Sequence, residues 1–160
     1  MVVKIIIPLI ISLVLVLINL TLIPLISIAN IVPNVVLIYL ILYSVKNGQI
    51  SGTLFSFFIG FLFDVASGGL IGSGMFSYTL VGFVAGYFYK EDYDEVFQNI
   101  KSFLFLIAIS SLLYFSFYSI LGISEIDKVN KFSFALYIVF SSLYTLVISL
   151  VIFVIPRNRL

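Results

Sequence analysis

The stretch that decides the fold is "FLFDVASGGLIGSG", which runs from Phe61 to Gly74. It places one acidic residue, Asp64, in an otherwise apolar segment, and four glycines follow within ten positions. An apolar run of this kind predicts a helix, and clustered glycines predict that the helix ends in a turn. The stretch therefore raises two questions, namely what surrounds the acid and what the glycines permit.

The chain around this stretch is too apolar for a protein surrounded by water. Of its 160 residues 62% are hydrophobic and 9% are charged, whereas soluble domains carry about 25% charged residues. We therefore expect a lipid bilayer to surround most of the polypeptide. The sequence contains no cysteine and no histidine, which excludes disulfides, Ser-His nucleophiles and nearly all zinc sites. We expect no catalytic residue, metal or cofactor, and the net charge of +1 gives no reason to expect nucleic acid.

Apolar segments separated by polar or glycine-rich breaks predict an all-α polytopic membrane protein with a single integral membrane domain over residues 1–160. A spanning helix needs about 20 apolar residues, and we expect spans at about 4–27, 32–46, 50–66, 74–89, 100–121 and 132–155. The first segment resembles a signal peptide, but its apolar run exceeds the about 7–15 residues of such peptides, so we expect it to be retained. The polar stretch "KEDYDEVFQNIK", 90–101, is expected to be a solvated loop, with a docking surface as the alternative.

The distribution of basic residues predicts the topology. The second span is short, and a re-entrant segment there would reduce the count to five. Six spans with a cytoplasmic N-terminus place six basic residues inside (Lys4, Lys46, Lys90, Lys101, Arg157, Arg159) and two outside (Lys128, Lys131). That excess satisfies the positive-inside rule, whereas five spans scatter the charges. We therefore predict a six-transmembrane-helix bundle with both termini in the cytoplasm.

Small residues recur at every fourth position of the third predicted span. The series runs through Gly48, Gly52, Ser56 and Gly60 and continues with Asp64 and Gly68. The fourth span carries a comparable series at Gly74, Tyr78, Gly82 and Gly86. Positions four apart lie on one side of a helix, and small residues let helices in lipid approach closely. We expect these two spans to pack together, and the alternative is that one series faces a partner protein.

Asp64 is expected near the outer end of the third span, where the free-energy cost of placing a carboxylate in the bilayer is smaller than at mid-membrane. The backbone N–H groups of the glycine-rich turn are candidate hydrogen-bond donors to it, because glycine leaves them accessible. Asn34, near the start of the second span, is a second candidate partner. The favoured role of Asp64 is to fix the outer turn. Contact with a partner protein and coupling to protons or ions are the alternatives, although the chain offers no second buried charge for a relay.

The run "PNVVLIYLILYSVKNGQISGTLFSFFIGFLFDVASGGLIGSGMFSYTLVGFVAGYF", Pro33 to Phe88, resembles the rod shape-determining protein MreD family. That family shows Pro-Asn at the head of an apolar span, then a Gly-x-x-x-Asp series, a glycine turn and a second glycine-rich span. The matching residues here are Pro33, Asn34, Gly60, Asp64, Ser67, Gly68, Gly69, Gly72, Gly82 and Gly86. The resemblance covers about a third of the chain well, and the first and the last two spans match by hydropathy alone.

The resemblance implies a non-enzymatic component of the bacterial elongation complex in the inner (cytoplasmic) membrane. It further implies the partners MreC, the MreB cytoskeleton, RodA and the penicillin-binding synthases, so that lateral peptidoglycan synthesis gives a rod. The family is also thought to share the six-helix fold of the substrate-binding subunits of energy-coupling-factor vitamin transporters. A vitamin-binding subunit is therefore the alternative function, although it requires several polar groups converging on an apolar pocket. The sequence offers few such groups in the outer half.

Overall fold

The computed structural model describes residues 3–28, 31–89, 100–122 and 131–154. Within these residues the chain forms six α-helices, one short 3-10 helix and no β-strand. The helices are α1 (Val3–Thr21), α2 (Val35–Asn47), α3 (Gln49–Ser67), α4 (Ser73–Tyr87), α5 (Ile100–Gly122) and α6 (Lys131–Val154). The polar stretch expected as a loop lies almost wholly at 90–99, outside the described residues, as does the C-terminal tail with Arg157 and Arg159.

The first helix is shorter than the predicted span 4–27, because it ends at Thr21 and a 3-10 helix follows at Ile23–Ile26. Pro24 explains the break, since proline has no N–H to donate to the preceding turn and its ring clashes with that turn. The chain then turns back through two backbone hydrogen bonds between Ile28 and Ile31, of 3.2 and 2.9 Å. The other five helices begin and end within three residues of the predicted limits.

The core is formed mainly by α2, α3, α4 and α5, and among the described residues α3 and α4 make the most extensive contact between helices. Helices α2 and α4 are about equally enclosed, since seven of 13 and eight of 15 residues are buried. Helix α3 instead presents two faces. Its small residues point inward, and its outward face consists of large apolar residues, namely Ile50, Leu54, Phe57, Phe58, Phe61 and Val65. An exposed apolar stripe of this length is expected of a helix that lies against lipid.

Within the described residues, three helices are long and apolar enough to cross a bilayer, namely α3, residues Ile100–Leu121 of α5 and residues Ser133–Val151 of α6. The apolar parts of α1 and α2, Ile6–Thr21 and Val35–Asn47, are shorter. A helical architecture with three helices of spanning length is therefore observed in the described residues, whereas the crossing of all six helices stays a prediction.

Candidate functional site

The side chain of Asp64 is bound by the backbone at the start of the next helix. Its Oδ2 accepts hydrogen bonds from the N–H groups of Gly72 and Met75, at 2.8 and 3.0 Å, and its Oδ1 accepts one from Gly74 at 2.8 Å. The residue is 1% exposed. N–H groups at a helix start have no partner within the helix and carry partial positive charge. The carboxylate therefore caps α4 from outside it, and the acid and the helix start satisfy each other.

Glycine is required at specific points of this turn. Gly68 ends α3 with φ of +65° and Gly72 precedes α4 with φ of +114°, both in the left-handed region that side chains disfavour. Gly74 is required for a different reason, since a methyl group at its Cα would collide with Oδ1 of Asp64. The glycines of "FLFDVASGGLIGSG" thus let the backbone turn around the acid and bring three N–H groups within hydrogen-bond distance of it.

The two series of small residues lie in the contact between α3 and α4. A methyl group added at Gly60 would lie 2.7 Å from the carbonyl oxygen of Gly74 and 2.7 Å from Cα of Met75. One added at Gly82 would lie 2.6 Å from the carbonyl oxygen of Gly52. These are backbone atoms of the opposite helix, so neither position has room for a side chain. The small residues let the two backbones approach closely, as helix association in lipid requires.

Two further glycines of the series extend this contact. A methyl group at Gly86 would collide with Cα of Gln49, which places the end of α4 beside the start of α3. Gly52 lies between α4 and α2, since a methyl group there would lie 2.5 Å from Oγ of Ser44. Gly52, Gly60, Gly82 and Gly86 are all buried. The small size of these four glycines therefore serves close packing between helices inside the protein.

Asn34 is bonded at a second helix start and does not hold Asp64. Its Oδ1 accepts from the N–H of Leu37 at 2.9 Å, so it caps α2. Its Nδ2 donates to the hydroxyl of Tyr78 on α4 at 2.7 Å, and its own N–H donates to Oγ1 of Thr145 on α6 at 3.1 Å. The N–H of Val35 donates to Oδ1 of Asn19 on α1 at 3.0 Å. The start of α2 therefore ties together α1, α2, α4 and α6, and the buried residue Pro33 lies immediately before it.

A cluster of aromatic rings joins the two bonded helix starts. The ring of Phe63, next to Asp64, meets that of Tyr78 edge-on at 5.5 Å between centroids. Tyr78 is fully buried and lies 4.6 Å from Tyr114, which stacks on Tyr118 at 5.3 Å. Ring pairs with this geometry stabilise a core beyond the burial of their area. The Asp64 turn and the Asn34 network are thus parts of one rigid interior.

Among the candidate site residues, the structure brings Asp64 and Gly72 together and packs Gly60 beside them. Asn34 lies apart, connected through Tyr78. Gly68 and Gly69 are exposed, and an added methyl group would meet nothing within 4 Å at Gly68 or Gly72. Sequence reasoning missed Asn19 and Thr145. A signal existed for Asn19, because an amide inside an apolar span indicates a hydrogen bond between helices.

The arrangement is suited to holding helices together. The side chains of Asp64 and Asn34 already form hydrogen bonds within the protein. Among the residues that the structure describes, no three metal-ligating side chains lie together. The fold and the site therefore define a helical protein with membrane-spanning potential, in which buried Asp64 and Asn34 connect helices.

Comparison with protein families identifies the class further. The model of the family "rod shape-determining protein MreD" matches residues 1–157, so the chain belongs to that family. It is accordingly a rod shape-determining membrane protein. Members of this family are structural components of shape determination, and the family is not a known enzyme family. No curated protein and no solved structure matches the chain. The expected likeness to vitamin-transporter subunits therefore has no support from solved structures.

Proposed function

We propose that this protein is a non-enzymatic membrane component of the bacterial elongation complex, which couples lateral peptidoglycan synthesis to the MreB and MreC machinery. The observation that carries the proposal is the family match over residues 1–157. The interior supports it, because Asp64 and Asn34 are bonded to the protein's own backbone and side chains, which leaves them unsuited to binding a small ligand. RodA and the penicillin-binding synthases are the further partners proposed.

We propose that all six helices cross the inner membrane, with both termini in the cytoplasm. The positions of the basic residues support this layout, since Lys46 lies at the end of α2, Lys90 precedes α5 and Lys101 lies in the first turn of α5. An alkaline phosphatase or fluorescent-protein reporter fused after Leu160 tests it. Fluorescence without phosphatase activity is expected, and phosphatase activity at that position would exclude the layout.

We propose that partner proteins bind to outward-facing surfaces of the protein. The glycines in the α3–α4 contact are buried, so a partner cannot reach them without separating the two helices. The candidates left open are Gly68, Gly69 and Gly72 of the turn and the large apolar face of α3. The role of the buried residues is then indirect, since they fix the shape that a partner recognises.

The test combines cell shape, protein level and co-purification in a strain whose own copy is depleted. The wild-type chain should restore rods and co-purify with MreC. Asp64→Ala and Gly82→Leu should lose both, with Asn47→Ala, at an exposed residue outside the candidate contacts, as the control that retains both. Rod shape and co-purification that survive in the two variants at normal protein levels would show that these residues are not required. Rods that persist without any copy of the protein would refute the proposed function, and tight vitamin binding by the purified protein would favour the alternative.

A further inference from the structure

Outward-facing tyrosines occur at one place in the described structure, the end of α4. Among the described residues, eight exposed rings are phenylalanines, such as Phe58 on α3 and Phe83 on α4. Two exposed rings are tyrosines, Tyr87 and Tyr89, which are 78% and 45% exposed. The other described tyrosines are buried or half-buried. This placement raises the question of what surrounds the end of α4.

The two tyrosines lie beside the turn between α2 and α3. The ring of Tyr89 packs against Gly48, since a methyl group at that glycine would lie 3.8 Å from two of its ring carbons. Gly86, in the last turn of α4, lies against Gln49 at the start of α3. Lys46, in the last turn of α2, is exposed at the same end. The turn and the end of α4 are therefore held at one level of the protein, and that level carries a charge.

The position of this end relative to the hydrocarbon layer follows from its charge. An exposed ammonium group such as that of Lys46 lies at or beyond the boundary of the layer, because a charge within hydrocarbon is unfavourable. Phe83 lies one turn deeper than Tyr87 on the same outward face of α4, by about 6 Å. Phe58 lies about 14 Å from the start of α3, near the middle of a layer about 30 Å thick. Both deeper rings lack a hydroxyl group.

A tyrosine suits the level of the lipid headgroups better than the environment on either side. Its hydroxyl group would have no hydrogen-bond partner among acyl chains, and its ring would expose apolar area to water. At the headgroups the ring stays beside acyl chains while the hydroxyl group reaches phosphate and ester oxygens, and tyrosine is enriched there. The level that Lys46 defines and the level that Tyr87 and Tyr89 favour therefore coincide.

We propose that Tyr87 and Tyr89 contact lipid headgroups, with their rings at the edge of the hydrocarbon layer and their hydroxyl groups donating to phosphate or ester oxygens. Lipid then occupies the outward side of this helix end, and partner proteins bind elsewhere. The proposal rests on the membrane location that the family match and the apolar helices support. It depends neither on the proposed partners nor on how many helices cross, so it can fail while the proposed function holds.

The experiment uses tryptophan as a reporter of depth, because the chain contains none. Tyr87→Trp and Tyr89→Trp report on the two positions, and Phe58→Trp is the matched control in the middle of the layer. Each full-length variant is reconstituted in dioleoylphosphatidylcholine vesicles that contain a nitroxide-labelled lipid, with the nitroxide either on the headgroup or near the end of an acyl chain. We expect the ratio of headgroup quenching to acyl-chain quenching to be several-fold higher at both tyrosine positions than at Phe58.

Three results would overturn the proposal. A quenching ratio at either tyrosine position equal to that at Phe58 would place that ring among acyl chains. Quenching by iodide in the buffer, without quenching by either lipid, would place the ring in water. Protection from all three quenchers would show that protein covers it, as residues 90–99 or a second copy of this chain would.

A second reporter removes the preference of tryptophan itself for the headgroup region. The chain has no cysteine, so a single spin label can be attached in each of Phe58→Cys, Phe83→Cys and Tyr87→Cys. Collision with oxygen, relative to collision with a water-soluble nickel chelate, should decrease from position 58 through position 83 to position 87. The absence of a decrease from position 83 to position 87 would contradict the proposal.

Discussion

Replacement of Asp64 should destabilise the protein more than replacement of any exposed residue of the same turn. In Asp64→Ala the N–H groups of Gly72, Gly74 and Met75 all lose their acceptor. Each buried donor left unpaired costs about 1–3 kcal/mol. Three such donors would together cost about 3–9 kcal/mol, and we expect a loss near the lower end of that range because the turn can relax.

Asp64→Asn separates hydrogen bonding from shape, because the amide is nearly isosteric with the carboxylate. Its oxygen can replace Oδ2 and keep Gly72 and Met75 bonded, whereas its NH2 group then meets the N–H of Gly74, which is also a donor. We expect a loss of about 2 kcal/mol, intermediate between wild type and Ala. The matched control is Ser67→Ala, an exposed neighbour whose hydroxyl bonds within the turn at 3.1 and 3.4 Å. It should cost about 0.5 kcal/mol.

The assay is reversible unfolding of the purified chain in bicelles, by steric trapping or by titration with a denaturing detergent. Helicity measured by circular dichroism before the titration shows that each variant begins folded. An Asp64→Ala variant within about 1 kcal/mol of wild type would refute the role of the carboxylate as the cap of α4. An Asn variant as unstable as Ala would show that charge, and not the number of acceptors, carries the effect.

Two further variants test the helix contact and the Asn34 network with the same assay. Gly60→Ala should cost about 1–3 kcal/mol of stability because its methyl group meets only backbone atoms. The control Gly69→Ala, at an exposed glycine, should change stability by about 0.5 kcal/mol. Equal effects of the two variants would contradict the close approach of α3 and α4. Tyr78→Phe should cost about 1–3 kcal/mol because it leaves the amide of Asn34 unpaired in the core. Tyr144→Phe, whose exposed hydroxyl donates to the carbonyl oxygen of Ile26 at 3.0 Å, should cost about 1 kcal/mol or less. A larger effect at Tyr144 than at Tyr78 would contradict this account of the network.

The positions of most helices could be predicted from hydropathy, because apolar runs in this chain are separated by short polar or glycine-rich breaks. The end of α1 could not be placed in the same way. Residues 22–26 are as apolar as those before them, and the break depends on Pro24, whose effect on a helix is local and independent of hydropathy. Hydropathy likewise left open whether each helix crosses the bilayer, because α2 and α4 are short.

The candidate site was predictable where its residues are close in sequence. The donors to Asp64 lie eight to eleven residues beyond it, in the glycine turn that the sequence itself marks. The bond between Asn34 and Tyr78 joins residues 44 apart, and that between Asn34 and Thr145 joins residues 111 apart. No periodicity within one helix encodes such pairs, because they depend on how whole helices are arranged.

The short separation between Asp64 and its donors has a consequence for biogenesis. While only α3 has been synthesised, Asp64 has no N–H donors to bind it, so it makes insertion into lipid less favourable. An acidic residue costs about 2.5–3.5 kcal/mol at a helix centre and less towards its end. Synthesis of only eight residues beyond the end of α3 supplies all three N–H groups. We therefore expect α3 and α4 to enter the lipid together as a hairpin, and we expect a delay in the synthesis of α4 to hinder the insertion of α3.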